Sequence, residues 1–201
     1  MIINRCFTIN IITLIFISFS GCSSKFEENK YVFIGDSIVA GWDLEYNFPY
    51  LDVVNLGKNG ATISDSDYIS SCLDMKQTVV ISLIGTNDIA TYKGITLSED
   101  SLNEIVSLYR LHIINSSAIN FIVISILPRS GTNAVRMNVQ IKKLNEKLKN
   151  MTKEIPNVVF LDVFNYFIGP DGFLDINYTV DGIHLNIYGY ELLSAKLSTI
   201  L

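Results

Sequence analysis

Five short runs of apolar residues, each stopped by glycine, proline or another turn residue, constrain this chain more than any other feature. They fall at residues 31–34, 51–56, 78–84, 120–127 and 157–163. Gly35-Asp36-Ser37 closes the first, Gly57 and Gly60 the second, Gly85 the third and Pro128 the fourth. A strand with one wet face alternates apolar and polar residues. An unbroken apolar run of this length fits a strand covered on both faces, as in a parallel sheet. Segments of helical period lie between the runs. Residues 98–117 place apolar side chains at 102, 105, 106, 108, 109, 111, 113 and 114, and open on Ser98-Glu99-Asp100, suited to a helix amino terminus. Residues 135–151 set Val139, Ile141, Leu144, Leu148 and Met151 against a lysine-rich polar face, and residues 187–201 close the chain with another amphipathic pattern. Strands alternating with helices predict a layered α/β domain with right-handed crossovers. No repeat or internal linker divides it.

The first 21 residues read differently. Arg5 supplies a positive start, and an apolar run of about fourteen residues follows, broken only by Thr8, Asn10, Thr13 and Ser18. A membrane-crossing helix needs roughly twenty residues, so this length suits the core of a secretory signal. Phe19-Ser20-Gly21-Cys22 then resembles a bacterial lipobox, with Phe19 where an aliphatic residue is usual. That resemblance implies cleavage before Cys22, lipidation of Cys22, and an exported protein anchored to a membrane, facing the periplasm or the cell surface. Several acyl chains anchor stably where one binds only marginally. Residues 22–29 form a polar tether, and residues 30–201 form the folded domain. Cys72 is the one cysteine inside it, so no intradomain disulfide is possible; a small buried hydrophobe is its expected role.

Hydrophobic residues make up 49% of the chain and charged residues 17%, the composition of a packed core. The net charge is −5 and no Lys/Arg run is present, which argues against nucleic acid or anionic headgroups as partners.

In a parallel sheet of this kind, ligands bind outside the carboxyl ends of the strands. Those ends present Gly35-Asp36-Ser37, Gly57 to Gly60, Gly85-Thr86-Asn87-Asp88 and Pro128-Arg129. The chain has two histidines. His112 sits within the long middle helix, with no triad or ligand spacing around it, and reads as structural or surface. His184 sits in Asp181-Gly182-Ile183-His184, before the last helix. An Asp three residues before a His can set a carboxylate against the imidazole, fixing its tautomer and stabilising its charged form. The same residues can equally shape a turn, with Asn186 capping the next helix. A serine becomes a nucleophile only with a base in reach. Ser37 follows the first strand directly, where it could also be a helix cap. Gly60 could offer an open backbone N–H to an oxyanion, and Asn87 its side-chain amide; turn geometry and an Asx turn account for them as well.

These blocks, in this order and at these strand ends, resemble the GDSL, or SGNH, hydrolase family. Gly35-Asp36-Ser37 matches its first block, Gly60 its second, Gly85-Thr86-Asn87-Asp88 its third, and Asp181 with His184 its last. Ile38-Val39 departs mildly from the first block. Asn138, Asn145 and Gly189-Tyr190 also resemble family positions. The resemblance covers residue 31 to the end. It implies a three-layer, flavodoxin-like fold on a five-stranded parallel sheet, and a carboxylic ester hydrolase. Ser37 is then the nucleophile, His184 the base and Asp181 its orienting acid, with Ser37, Gly60 and Asn87 around the oxyanion. No metal or cofactor is needed, and no metal-ligand spacing is present. Asp36 and Asp88 are expected to brace their turns, and Arg129 to meet an anionic substrate group or brace its loop. An acyltransferase using the same serine, a lysophospholipase-like enzyme and a non-catalytic binding lipoprotein are the alternatives. Residues 42–50, 89–96 and 167–179, rich in Tyr and Phe, are expected to line the pocket; a small-molecule or glycan ester with short acyl groups is the expected substrate.

Overall fold

A computed structural model describes residues 29–65, 78–90 and 96–201; the leader, Cys22 and Cys72 lie outside the described residues. Five strands, β1 (Lys30–Gly35), β2 (Asp52–Gly57), β3 (Thr78–Leu83), β4 (Asn120–Ile124) and β5 (Val158–Leu161), form one sheet in the order β2-β1-β3-β4-β5. Every pairing is parallel. The helices are α1 (Ser37–Ala40), α2 (Leu44–Asn47), α3 (Thr86–Ala90), α4 (Glu99–Asn115), α5 (Ala134–Thr152) and α6 (Ile187–Leu197). This is the flavodoxin-like, three-layer α/β arrangement. Among the described residues no helix is long and apolar enough to cross a membrane.

Side chains alternate along each strand, so each apolar run feeds two cores at once. Val32, Ile34, Val80, Phe121 and Val123 face one way, where α4 covers them with Leu102, Ile105, Tyr109 and Ile113, and α5 with Ile141, Leu144, Leu148 and Met151. Phe33, Val79, Ile81, Leu83, Ile122 and Ile124 face the other way, under Ile38 and Val39 of α1 and Leu193 and Leu197 of α6. Burying each such side chain contributes about 1.5–3 kcal/mol before the entropy of ordering it is counted.

Strands covered on both faces are found at β1, β3 and β4. At the sheet edges the expectation fails: β2 and β5 contain no fully buried residue. An edge strand has a neighbour on one side only, and the helices shield it less. The fourth apolar run also ends as a strand at Ile124 rather than continuing to residue 127. Beyond it, side chains replace the ladder. The Asn145 amide accepts from Ile126 N at 2.8 Å and donates to Ile126 O at 2.9 Å; Asn138 does the same for Arg129, at 2.8 and 2.9 Å. Two asparagines about two helical turns apart thus fix the backbone that leaves the sheet's carboxyl edge.

β1 lies between β2 and β3, so the chain leaves β1 toward one neighbour and later returns on its other side. Such a switch opens a crevice at the carboxyl ends of the strands.

Candidate active site

Ser37 is held by packing. The backbone of β1 runs into α1 through Gly35, where a Cβ would lie 2.3 Å from Leu83 O and 2.3 Å from Val39 Cγ2. Asp36 caps α1, its Oδ1 accepting from Ile38 N at 2.9 Å. At Gly57, a Cβ would lie 2.1 Å from Ala40 N, so β2 approaches α1 at a distance only glycine permits. Asn55 ties the same two elements, its amide donating to Val39 O at 2.7 Å and Trp42 O at 3.0 Å. Asp36 is 1% exposed. Desolvation pushes its carboxyl up from 3.8 to about 6, although the Ile38 N–H, the charges of His184 and Arg129 and the Thr86 hydroxyl all pull it down.

His184 is held by local hydrogen bonds. Asp181 Oδ1 accepts from Ile183 N at 2.9 Å and His184 N at 2.8 Å, and Asp181 Oδ2 takes the His184 Nδ1–H at 2.7 Å. Gly182 turns the chain between them at φ +86 and donates its N–H to Thr179 Oγ1 at 2.9 Å. Thr179 Oγ1 in turn donates to His184 O at 2.7 Å. Partial desolvation of Asp181 is outweighed by the His184 side chain and the two N–H donors, which bring its carboxyl down from 3.8 to about 2. Asn186 caps α6 by accepting from Gly189 N at 3.0 Å.

The two parts meet across 147 residues of sequence: Ser37 Oγ lies 2.9 Å from His184 Nε2. With Nδ1–H committed to Asp181, Nε2 is the acceptor for the serine hydroxyl, a tautomer set by the hydrogen-bond network.

Gly60 and Asn87 lie just past the carboxyl ends of β2 and β3, the two strands that neighbour β1. Gly60 has φ +76, in a turn closed by Ala61 N to Lys58 O at 3.1 Å. The Asn87 amide donates to Ala61 O at 3.0 Å, and Asp88 accepts from Ile63 N at 3.2 Å, so the β3 block fastens the Gly60 turn in place. Burial raises the Asp88 carboxyl from 3.8 to about 6 against its hydrogen bonds, with Asp36 and Asp65 adding repulsion.

The model of the GDSL-like lipase/acylhydrolase family matches residues 33–192. The chain belongs to this family. It is an ester-hydrolysing enzyme by that membership, on the α/β fold described above. Among solved structures, it is similar to a candidate platelet activating factor from Streptococcus pneumonia, at 28% identity and a TM-score of 0.74, over 88% of this chain and 86% of that one. A candidate acylhydrolase from Bacteroides fragilis follows at 25% identity and a TM-score of 0.66, over 87% and 86%. An acetylxylan esterase from Geobacillus stearothermophilus shares the fold at 19% identity and a TM-score of 0.60, over 85% and 93%. No curated protein matches the chain.

Several residues of this GDSL-family chain sit elsewhere than the sequence suggested. Trp42, Phe48 and Phe167 are 2%, 5% and 0% exposed and belong to the core rather than to a pocket lining. Trp42 packs against Phe33 with ring centroids 5.3 Å apart, and its Nε1 donates to Ser194 Oγ at 2.9 Å. Residues 91–95 of the expected lining lie outside the described residues. His112, read as structural or surface, is buried, with Nε2 3.2 Å from Ile63 O, and desolvation lowers its pKa. Tyr109 was silent in the sequence, yet its hydroxyl donates to Ile84 O at 2.6 Å and so fixes the end of β3. The only cue to it was its apolar-face position in the α4 pattern. Arg129, expected to meet an anionic substrate group or brace its loop, is 8% exposed.

Proposed function

We propose that this chain hydrolyses carboxylic esters carrying short acyl groups, through an acyl-serine intermediate on Ser37. The hydrogen-bonded series from Ser37 Oγ through His184 to Asp181, at 2.9 and 2.7 Å, carries this reading. His184 Nε2 takes the hydroxyl proton as Ser37 Oγ attacks the carbonyl carbon. The resulting oxyanion is met by backbone N–H groups at Ser37 and Gly60 and by the Asn87 amide. The imidazolium, stabilised by Asp181, then protonates the leaving alcohol oxygen as the carbon–oxygen bond breaks. Water attacks the acyl-serine, giving one proton to His184, and Ser37 recovers it as the acid departs. The short-acyl reading is supported by Trp42, Phe48 and Phe167, which are buried in the core rather than lining a groove for a long chain. Glycan esters are the substrate class this chain would meet once exported, which the signal-like residues 1–21 and the lipobox-like Cys22 support.

The test is hydrolysis of p-nitrophenyl acetate and butyrate by the protein from residue 23 onward, beside Ser37→Ala and His184→Ala. Activity should vanish in both variants, and a fluorophosphonate probe should label Ser37 only in the unsubstituted protein. Turnover surviving both substitutions would sink the assignment. Membrane attachment is checked by detergent-phase partitioning of the full-length protein, which Cys22→Ala should abolish.

A further inference from the structure

The loop joining β4 to α5 carries a cation that the mechanism above does not use. Arg129 is 8% exposed, with its backbone fixed at both N and O by Asn138. Among the described residues its guanidinium has no carboxylate within ion-pair distance. Its hydrogen-bond contact there is Nη1 to Met137 Sδ at 3.6 Å, a weak acceptor in the first turn of α5. A guanidinium buried without a strong acceptor is costly, and a matching anion relieves that cost.

The amino end of α5, whose Met137 this guanidinium touches, has its Ala134 N–H bonded to Gly131 O at 3.2 Å but little other compensation. Its cap residue Asn133 stands at φ 64 and makes no side-chain cap bond, and its first turn has no acidic residue. Arg136 lies in that turn instead. Asp36 and Asp181 favour the Arg129 charge from nearby but form no ion pair with it: both Asp181 oxygens are engaged with Ile183 and His184, and the buried Asp36 caps α1 through Oδ1 alone. The loop is docked on the triad: Ser130 N donates to Gly182 O at 2.9 Å, and a Cβ on Gly182 would lie 2.6 Å from Ser130 Oγ. Arg129 therefore lies on the His184–Asp181 side of Ser37, the side from which the leaving alcohol receives its proton.

We propose that Arg129 and the open amino end of α5 form a subsite for an anionic group, a carboxylate or a phosphate monoester, on the alcohol part of the ester. A guanidinium offers paired donors to two oxygens of such a group, and helix-terminal N–H groups add to them. The chain's net charge of −5 repels anions at long range, so retention has to come from these local donors. The alcohol-side assignment rests on the hydrolase reading above; the anion subsite itself does not.

Matched substrates test it: acetylated glycerol against acetylated glycerol phosphate, and an acetylated galactoside against the corresponding galacturonide. The unsubstituted enzyme should favour at least one charged ester over its neutral partner by about tenfold or more in kcat/KM, and the pair that shows it names the group. Arg129→Gln should cut that preference ratio about tenfold, mainly through KM, and Arg129→Lys should restore part of it. No preference in either pair, or a ratio unchanged by Arg129→Gln, overturns the proposal. Should Arg129→Gln fail to fold, the ratio in Arg129→Lys and its fall with ionic strength decide instead; a ratio indifferent to both overturns it. Calorimetric titration with inorganic phosphate reads the subsite without turnover. Where no ester is hydrolysed, phosphate binding weakened about tenfold by Arg129→Gln upholds the subsite while the hydrolase reading fails. Absence of phosphate binding in that case overturns both.

Discussion

The two halves of the proposed triad are built in opposite ways. Ser37 is positioned by close packing: a buried capping Asp36, and glycines at 35 and 57 where backbone meets backbone. His184 and Asp181 stand on an irregular turn, with side chains 41% and 47% exposed, and are positioned by hydrogen bonds that close within about six residues of sequence. A side chain on a strand end inherits the rigidity of the sheet. One on a surface turn needs its own scaffold, which Asp181, Gly182 and Thr179 supply for His184. The first half is sensitive to volume and the second to polar chemistry.

The largest expected effect tests the polar half. Asp181→Asn retains an oxygen for the Ile183 and His184 N–H groups but loses the charge opposite Nδ1. We expect kcat to fall on the order of 10²–10⁴-fold, as for a triad acid made neutral. The melting temperature should move little, because the side chain is half exposed. A fall of less than tenfold would mean that the turn, and not the carboxylate, orients His184.

A paired substitution separates the halves directly. Gly57→Ala forces a Cβ to 2.1 Å from Ala40 N, where neither backbone can yield cheaply. It should destabilise by about 3 kcal/mol and lower Tm by about 10 °C in calorimetry. Gly182→Ala meets mainly the movable Ser130 Oγ, but it requires φ +86 of a residue with a Cβ. It should cost about 1 kcal/mol in stability and on the order of tenfold in kcat/KM. Equal Tm losses in the two variants would erase the distinction.

An effect visible only against pH concerns Asp88, which fastens the Gly60 turn from within the packed half. Its carboxyl titrates near 6 in the folded protein and at 3.8 otherwise, so the folded state holds the proton more tightly between those values. Ionisation thus removes stability as pH rises from about 4 to about 6, and the loss is complete above that window. Asp88→Asn keeps an acceptor for Ile63 N without the charge. Relative to the unsubstituted protein, it should gain about 2 kcal/mol between pH 4 and pH 7 in denaturant titrations. A constant difference across that range would show that Asp88 stays ionised or is hydrated.

Most of the frame was legible in the chain. Apolar runs ended by turn residues marked the strands, because a strand covered on both faces leaves no room for polar side chains. Ser98 and Asn186 marked helix starts, because their side chains bond to the first-turn amides. Ser37, Gly60, Asn87, Asp181 and His184 were each visible as a residue type at a strand end or turn. Short-range chemistry of this kind is written in neighbouring residues, and Asp181 with His184 is the clearest case.

Tertiary structure decided what depends on distance in space. It set Ser37 against His184, and it gave Asn87 to the Ala61 carbonyl. It sent Trp42, Phe48 and Phe167 inward, because a large aromatic ring gains more from the core than from a groove. It also buried Arg129 against Met137 at the start of α5. Burial and partnership are properties of packed neighbours from distant parts of the chain, and no local pattern records them.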